Sequence, residues 1–178
     1  VLIHRASLPP WPERPIHLPG LEPTARAYAL AKIADFFSRP LLVLCRSDIE
    51  ASVLCDNISA LDSAFFNRRL CPTLFPHWDA SLRQTVSPSI QVRQKRARVL
   101  GLLRSNRPPK IVVTTIAGAC FATLPPEEFL RLSFSPAGLS RAGVIDGLLR
   151  GGYLRVDACE DPGTFSSRGD LLDVFPPA

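Results

Sequence analysis

Two uninterrupted apolar runs, Leu41-Leu42-Val43-Leu44-Cys45 and Ile111-Val112-Val113-Thr114-Thr115, most constrain what this chain can fold into. A strand without polar alternation is apolar on both faces, and a parallel sheet covered by helices is the arrangement that hides both. The intervening sequence supplies such helices. From Thr24 to Phe37 apolar residues recur at helical spacing (Ala27, Leu30, Ala31, Ala34), and Pro40 ends the segment. Ser47 or Asp48 can cap a second helix, with Ile49, Val53, Leu54 and Ile58 on its inward stripe. Thr73-Leu74-Phe75 reads as a brief strand. Ser89 to Leu103 reads as a basic amphipathic helix, with Val92, Val99, Leu100 and Leu103 inward and Arg93, Arg96 and Arg104 outward. Strands alternating with helices through short links predict an α/β fold with a parallel sheet and right-handed crossovers.

A short run, Ile16-His17-Leu18, can form a strand leading into Gly20-Leu21-Glu22-Pro23-Thr24-Ala25-Arg26-Ala27. That octet has the spacing of a phosphate-binding loop, G-x-x-x-x-G-K-[ST], with its working parts replaced. Gly20 is kept, but Ala25 stands for the second glycine, Arg26 for the lysine and Ala27 for the hydroxyl residue that holds magnesium. Pro23 removes an amide from the cradle, and Glu22 adds negative charge where phosphates would sit. The expected fold class is therefore a degenerate P-loop NTPase-like parallel sheet with flanking helices, without catalysis. The plainer alternative is an ordinary turn in which Pro23 opens a helix.

The rest of the composition narrows the function classes. Five cysteines, none in a C-x-x-C pair, argue against a disulfide framework and a zinc site, and no cofactor or metal is expected. His4, His17 and His77 are the neutral-pH bases, and none lies in a nucleophile motif. No run approaches a membrane span, and no signal peptide is visible, which favours the cytoplasm. The net charge of +5 permits contact with nucleic acid or an acidic partner without requiring it. The arginine-rich helix, with Arg93, Lys95, Arg96 and Arg104, could track a phosphate backbone or could simply be a solvated face.

Prolines punctuate the chain into an extended arm (1–15), the α/β domain (16–124) and a smaller, apparently truncated α+β unit (125–178). Within the last, Glu127 to Leu132 continues as helix, and Ser140 to Leu149 reads as a second one ended by Gly151-Gly152. Tyr153 to Asp157 reads as a strand, and a turn at Asp161-Pro162-Gly163 leads to a further strand at Leu171–Phe175.

Phe75-Pro76-His77-Trp78-Asp79, Ser87-Pro88, Val112–Thr115, Leu124-Pro125-Pro126-Glu127-Glu128-Phe129 and the run from Arg168 to Pro176 occur in that order. Together they resemble the amino-terminal module of the bacterial transcription-repair coupling factors (Mfd), which is similar in turn to the excision-repair protein UvrB. The resemblance runs from about Ile16 to Pro177. UvrB resembles a working ATPase with an intact phosphate loop and a tyrosine-rich hairpin. The altered loop here, and the aromatic-free Leu82-Arg83-Gln84-Thr85-Val86, match the coupling factor.

The resemblance implies a non-catalytic adaptor that recruits UvrA to stalled transcription sites, with Arg155, Phe165, Arg168, Gly169 and Asp170 at the contact. It also implies contact with the remainder of a longer coupling factor, which would carry an ATP-dependent translocase. Arg168 offers a donor fork to an acidic partner, and Phe165 an aromatic anchor. Two other readings stay open: weak nucleotide binding through Arg26, and a salt-sensitive DNA contact on the Arg93–Lys110 face.

Overall fold

A computed structural model describes residues 19–79, 88–123, 135 and 137–176. The expected arm, the Ile16–Leu18 strand, the Leu82–Val86 segment and the Glu127–Leu132 helix lie outside the described residues. The chain divides into two compact units, Val1–Trp78 with Val99–Cys120, and Asp79–Arg98 with Phe121–Ala178. Asp79 and residues 88–98, placed in the 16–124 domain from sequence, group with the second unit.

In the first unit, α1 (Pro23–Phe36) opens with proline at its first position, where the missing N–H costs nothing. Strand β1 (Leu41–Cys45) follows, then α2 (Asp48–Phe65), β2 (Thr73–Leu74), β3 (Ile111–Thr115) and the short α4 (Ile116–Cys120). The sheet order is β1-β3-β2 and both pairings are parallel, with Leu41 beside Ile111 and Thr73 beside Val112. The expected parallel α/β sheet is present. Ala27, Ala31 and Ala34 of α1 and Ala51, Leu54 and Ile58 of α2 pack over Cys45, Ile111 and Val113. Small residues on α1 let the helix approach closely, and this cluster is the main core. Val112 points to the other face, where Phe75, Val99 and Leu100 cover it.

Two expectations about burial are corrected here. β3 is buried throughout, but β1 alternates, leaving Leu42 and Leu44 exposed. β1 is an edge strand among the described residues, and the cover that Phe75, Val99 and Leu100 give Val112 does not reach Leu42 and Leu44. On α2, Leu54 and Ile58 point inward as expected, whereas Ile49 is 79% exposed and Val53 49%. The inward stripe runs instead through Ala51, Leu54, Cys55, Ile58 and Asp62. Its phase is set by which side of the helix meets the sheet, and both sides carry apolar residues.

Helix α3 (Ile90–Leu103) crosses the division between the units. Val99 is buried as expected, but Leu103 is exposed and Arg96, expected outward, is 2% exposed.

In the second unit, α5 (Arg141–Arg150) is capped by Ser140, whose hydroxyl accepts the Gly143 N–H at 3.2 Å. Gly151 caps its carboxyl end and Gly152, at φ 81°, reverses the chain. A second sheet follows in the order β4 (Leu154–Arg155), β5 (Thr164–Arg168), β6 (Leu171–Phe175). β4 is shorter than the expected Tyr153–Asp157, and β5 was not foreseen. β4 pairs with β5 in parallel, and β5 with β6 as an antiparallel hairpin. Gly169, at φ 51°, takes the first position of the two-residue turn, where a type II′ hairpin needs glycine.

Candidate functional site

The Gly20–Ala27 stretch forms a turn and the opening of α1. Gly20 has φ 72°, so the chain turns there through a conformation that favours glycine. Glu22 precedes the helix without a side-chain capping bond, and Pro23, Thr24 and Ala25 are already helical. The Arg26 amide donates to the Glu22 carbonyl at 2.8 Å, so it belongs to the helix rather than to a cradle. Ala27 is fully buried in the core, facing α2 and the sheet rather than a ligand.

The Arg26 guanidinium is engaged. Its Nη1 lies 2.8 Å from Glu50 Oε1, and the second carboxylate oxygen accepts the Arg46 amide at 3.1 Å. The Arg46 Nε stands 3.7 Å from the same oxygen. The Arg46 amide bond, with help from both guanidinium groups, holds the Glu50 carboxyl below the usual range against the opposing effect of its partial burial. These groups line a crevice of about 540 Å³ with Pro23, Ser47, Val53, Leu54 and Asn57. Ser47, at the head of α2, accepts the Glu50 amide at 3.2 Å, which fixes the first turn and so the carboxylate.

The second candidate is the hairpin β5–β6. Register decides its faces, because paired residues point the same way and neighbours along a strand point oppositely. Thr164, Ser166 and Arg168 share one face with Phe175, Asp173 and Leu171. Phe165 and Ser167 share the other with Val174 and Leu172, and β4 adds Arg155 to that second face beside Phe165. Arg155 and Arg168, grouped from sequence, therefore project from opposite faces. Arg155, Arg168, Gly169 and Asp170 are all exposed, and the last three form the hairpin tip.

Phe165 has no exposed surface and cannot serve as an aromatic contact. The exposed apolar groups on the Arg168 face are Leu171, 71% exposed, and Phe175. Sequence reasoning missed them because an apolar strand residue reads equally as core. Only the hairpin register separates them from Phe165. The Arg168 guanidinium donates to the Asp157 carbonyl, and the Ser166 hydroxyl donates to the same carbonyl at 3.0 Å. The Thr164 hydroxyl donates to the Asp161 carbonyl at 2.6 Å. These bonds lay the 157–161 loop along β5 and leave an open groove of about 510 Å³ that includes Arg168, Asp173 and Phe175. On the opposite face, Arg141 donates to the Ser167 hydroxyl at 2.6 Å, tying α5 to the sheet.

The basic helix is broken as a patch. Arg93, Lys95 and Arg104 are exposed, but Arg96 is buried, and burial pushes its guanidinium below its usual range. No group of three or more His, Cys, Asp or Glu residues among the described residues could hold a metal ion. No described helix is long and apolar enough to cross a membrane.

Comparison with known proteins places this second sheet in a family context. Residues 136–178, which contain α5 and the whole second sheet, match the family described as UvrB interaction domain. UvrABC system protein B of Mycoplasma mobile is 25% identical over 172 residues, covering 88% of this chain and 25% of that protein. The same protein of Caldicellulosiruptor bescii is 25% identical over 168 residues, with the same coverage. The transcription-repair-coupling factor of Bacillus subtilis is 26% identical over 166 residues, covering 89% of this chain and 13% of its own length. The resemblance to UvrB and to the coupling factors thus extends over most of this chain at low identity. The chain spans about a quarter of the length of the UvrB relatives it matches.

Proposed function

We propose that this chain is a non-catalytic adaptor of nucleotide excision repair, which docks UvrA through the exposed hairpin-tip and β6 side chains of its second sheet in the manner of a coupling factor. The observation that carries this reading is the coincidence of the UvrB interaction domain match, 136–178, with the sheet bearing Arg168, Asp173, Leu171 and Phe175 on one face. A charged donor flanked by exposed apolar side chains has the composition of a docking surface rather than of a solvated strand. Gly169 and Asp170 extend this surface at the hairpin tip, while Arg155, on the other face, is peripheral to it.

The absence of catalysis is supported at the other end of the chain, where the Gly20–Ala27 stretch is a degenerate phosphate loop. Arg26 is committed to Glu50, the Arg26 amide to the helix, and Ala27 to the core. Recruitment to stalled transcription is the finer part of the proposal and rests on the altered loop, which departs from that of a working UvrB-like ATPase. The DNA-contact reading is weaker, because Arg96 is withdrawn from the row of cations it needs.

The test is direct binding of the chain to purified UvrA, comparing Arg168→Ala, Phe175→Ala and Ser166→Ala. Arg168 does two things, offering charge and holding the Asp157 carbonyl, and Ser166 does only the second. The proposal expects Arg168→Ala and Phe175→Ala each to weaken binding roughly tenfold or more, as central contacts do. Ser166→Ala should bind nearly as the unaltered chain does. Equal binding by all four proteins would remove this face from the interface.

A further inference from the structure

We infer that the Glu50 carboxylate is a built-in anion that closes the Arg26 crevice to phosphate-bearing ligands, and that removing it uncovers a site for pyrophosphate. This rests on reading Gly20–Ala27 as a vestigial phosphate loop. In a working loop, a cation from the first turn of the following helix reaches the terminal phosphates. Arg26 keeps a cation at that place, and a guanidinium fork suits phosphate as well as it suits carboxylate.

The fork is met by this chain's own carboxylate. Glu50 Oε1 takes Arg26 Nη1 at 2.8 Å, and Oε2 takes the Arg46 amide at 3.1 Å with the Arg46 guanidinium behind it at 3.7 Å. Two oxygens of one anion thus receive a guanidinium, a backbone amide and a second cation, the donor set that two phosphate oxygens would use. The crevice, about 540 Å³, also presents Ser47 and Asn57. The carboxyl of Glu50 is held below its usual range, so it is charged at neutral pH and repels a second anion.

An incoming phosphate would have to break these bonds and share the niche with a like charge. The vestigial loop is therefore not merely short of parts. It is occupied.

The experiment is calorimetric titration of the 178-residue chain with pyrophosphate at low ionic strength. The proteins are the unaltered chain, Glu50→Gln, and Glu50→Gln combined with Arg26→Ala. Removing one like charge at contact distance near the surface is expected to tighten pyrophosphate binding by at least about tenfold. The double variant should return to the weak or absent binding of the unaltered chain. No gain in Glu50→Gln, or a gain that persists without Arg26, overturns the inference.

Glu50→Ala is the second variant. Loss of fold in both would also overturn the inference, because a half-exposed pair that merely fills a crevice contributes little to folding. UvrA binding measured on the same samples separates the two proposals. Glu50 lies outside the docking face, so UvrA binding should be the same with and without its charge.

Discussion

Asp62→Ala is expected to destabilise the chain far more than any neighbouring polar substitution on α2. Asp62 sits in the last turn of that helix and is 3% exposed. Its two carboxylate oxygens accept the main-chain amides of Leu70 at 3.1 Å and Cys71 at 2.9 Å, and its carbonyl accepts those of Phe66 and Arg68. The loop it gathers contains three non-glycine residues at positive φ, Asn67, Arg68 and Cys71. Each such residue costs on the order of 1 kcal/mol and persists only when its surroundings hold it. Leu70 is fully buried, and its carbonyl accepts the Lys110 amide at 2.8 Å, so the carboxylate also secures the edge from which β2 and β3 start.

A hydrogen bond to a charged acceptor contributes about 1.5–3 kcal/mol. Two are lost in Asp62→Ala, but Cys71 is exposed and water can replace its bond. The net loss is therefore about 2–4 kcal/mol, concentrated on the buried Leu70 amide. For a chain of this size that corresponds to a fall in Tm of roughly 5–15 °C. Asp62→Asn should fall between the two, because one amide oxygen can accept while its NH2 opposes the other donor. Asp56, exposed on the same helix, is the control, and Asp56→Ala should stay within about 0.5 kcal/mol. Urea unfolding followed by circular dichroism supplies the free energies. If Asp62→Ala costs no more than Asp56→Ala, the carboxylate does not hold this loop.

Three shorter expectations follow from the same geometry. Glu50 has a depressed folded-state pKa, so its stabilising contribution is present above the ordinary carboxyl value and lost as pH falls through the folded one. Glu50→Gln should thus cost up to about 1 kcal/mol at pH 7 and nothing in acid, read from unfolding curves across pH. Burial raises the Cys55 thiol to about 11, leaving about one molecule in a thousand as thiolate at pH 8. In the native chain Cys71 and Cys120, both exposed, should react with a thiol reagent in seconds to minutes, whereas Cys55 should require denaturant. Gly118→Ala places a Cβ 2.5 Å from Thr114 Oγ1 and 3.3 Å from Thr115 Oγ1, both buried in β3. It should cost about 1–3 kcal/mol by overcrowding, measured by the same unfolding assay.

Sequence pattern was a sound guide wherever one element's own chemistry set the outcome. Pro23 starts α1, Ser47 caps α2, and the apolar runs at Leu41 and Ile111 become paired parallel strands. It was a poor guide to β5. Thr164-Phe165-Ser166-Ser167-Arg168 lacks an apolar stripe, because Thr164 and Ser166 are buried by donating to carbonyls of the 157–161 loop. A polar residue satisfied in this way packs like an apolar one, and periodicity does not register it. Ile49 and Val53 failed oppositely, being apolar residues on a helix side left exposed among the described residues.

Sequence alone determined that this chain builds a parallel α/β unit and that Ala25, Arg26 and Ala27 stand where a working phosphate loop needs glycine, lysine and a hydroxyl, since residue identity and spacing suffice for both. Tertiary structure decided what those residues do instead. The Arg26 charge is neutralised by Glu50, distant in sequence, and Phe165 is core while Leu171 and Phe175 are surface. Arg155 and Arg168 part company for the same reason. Which face a strand residue takes, and which partner a long side chain meets, depend on register and packing between segments, and local sequence does not encode either.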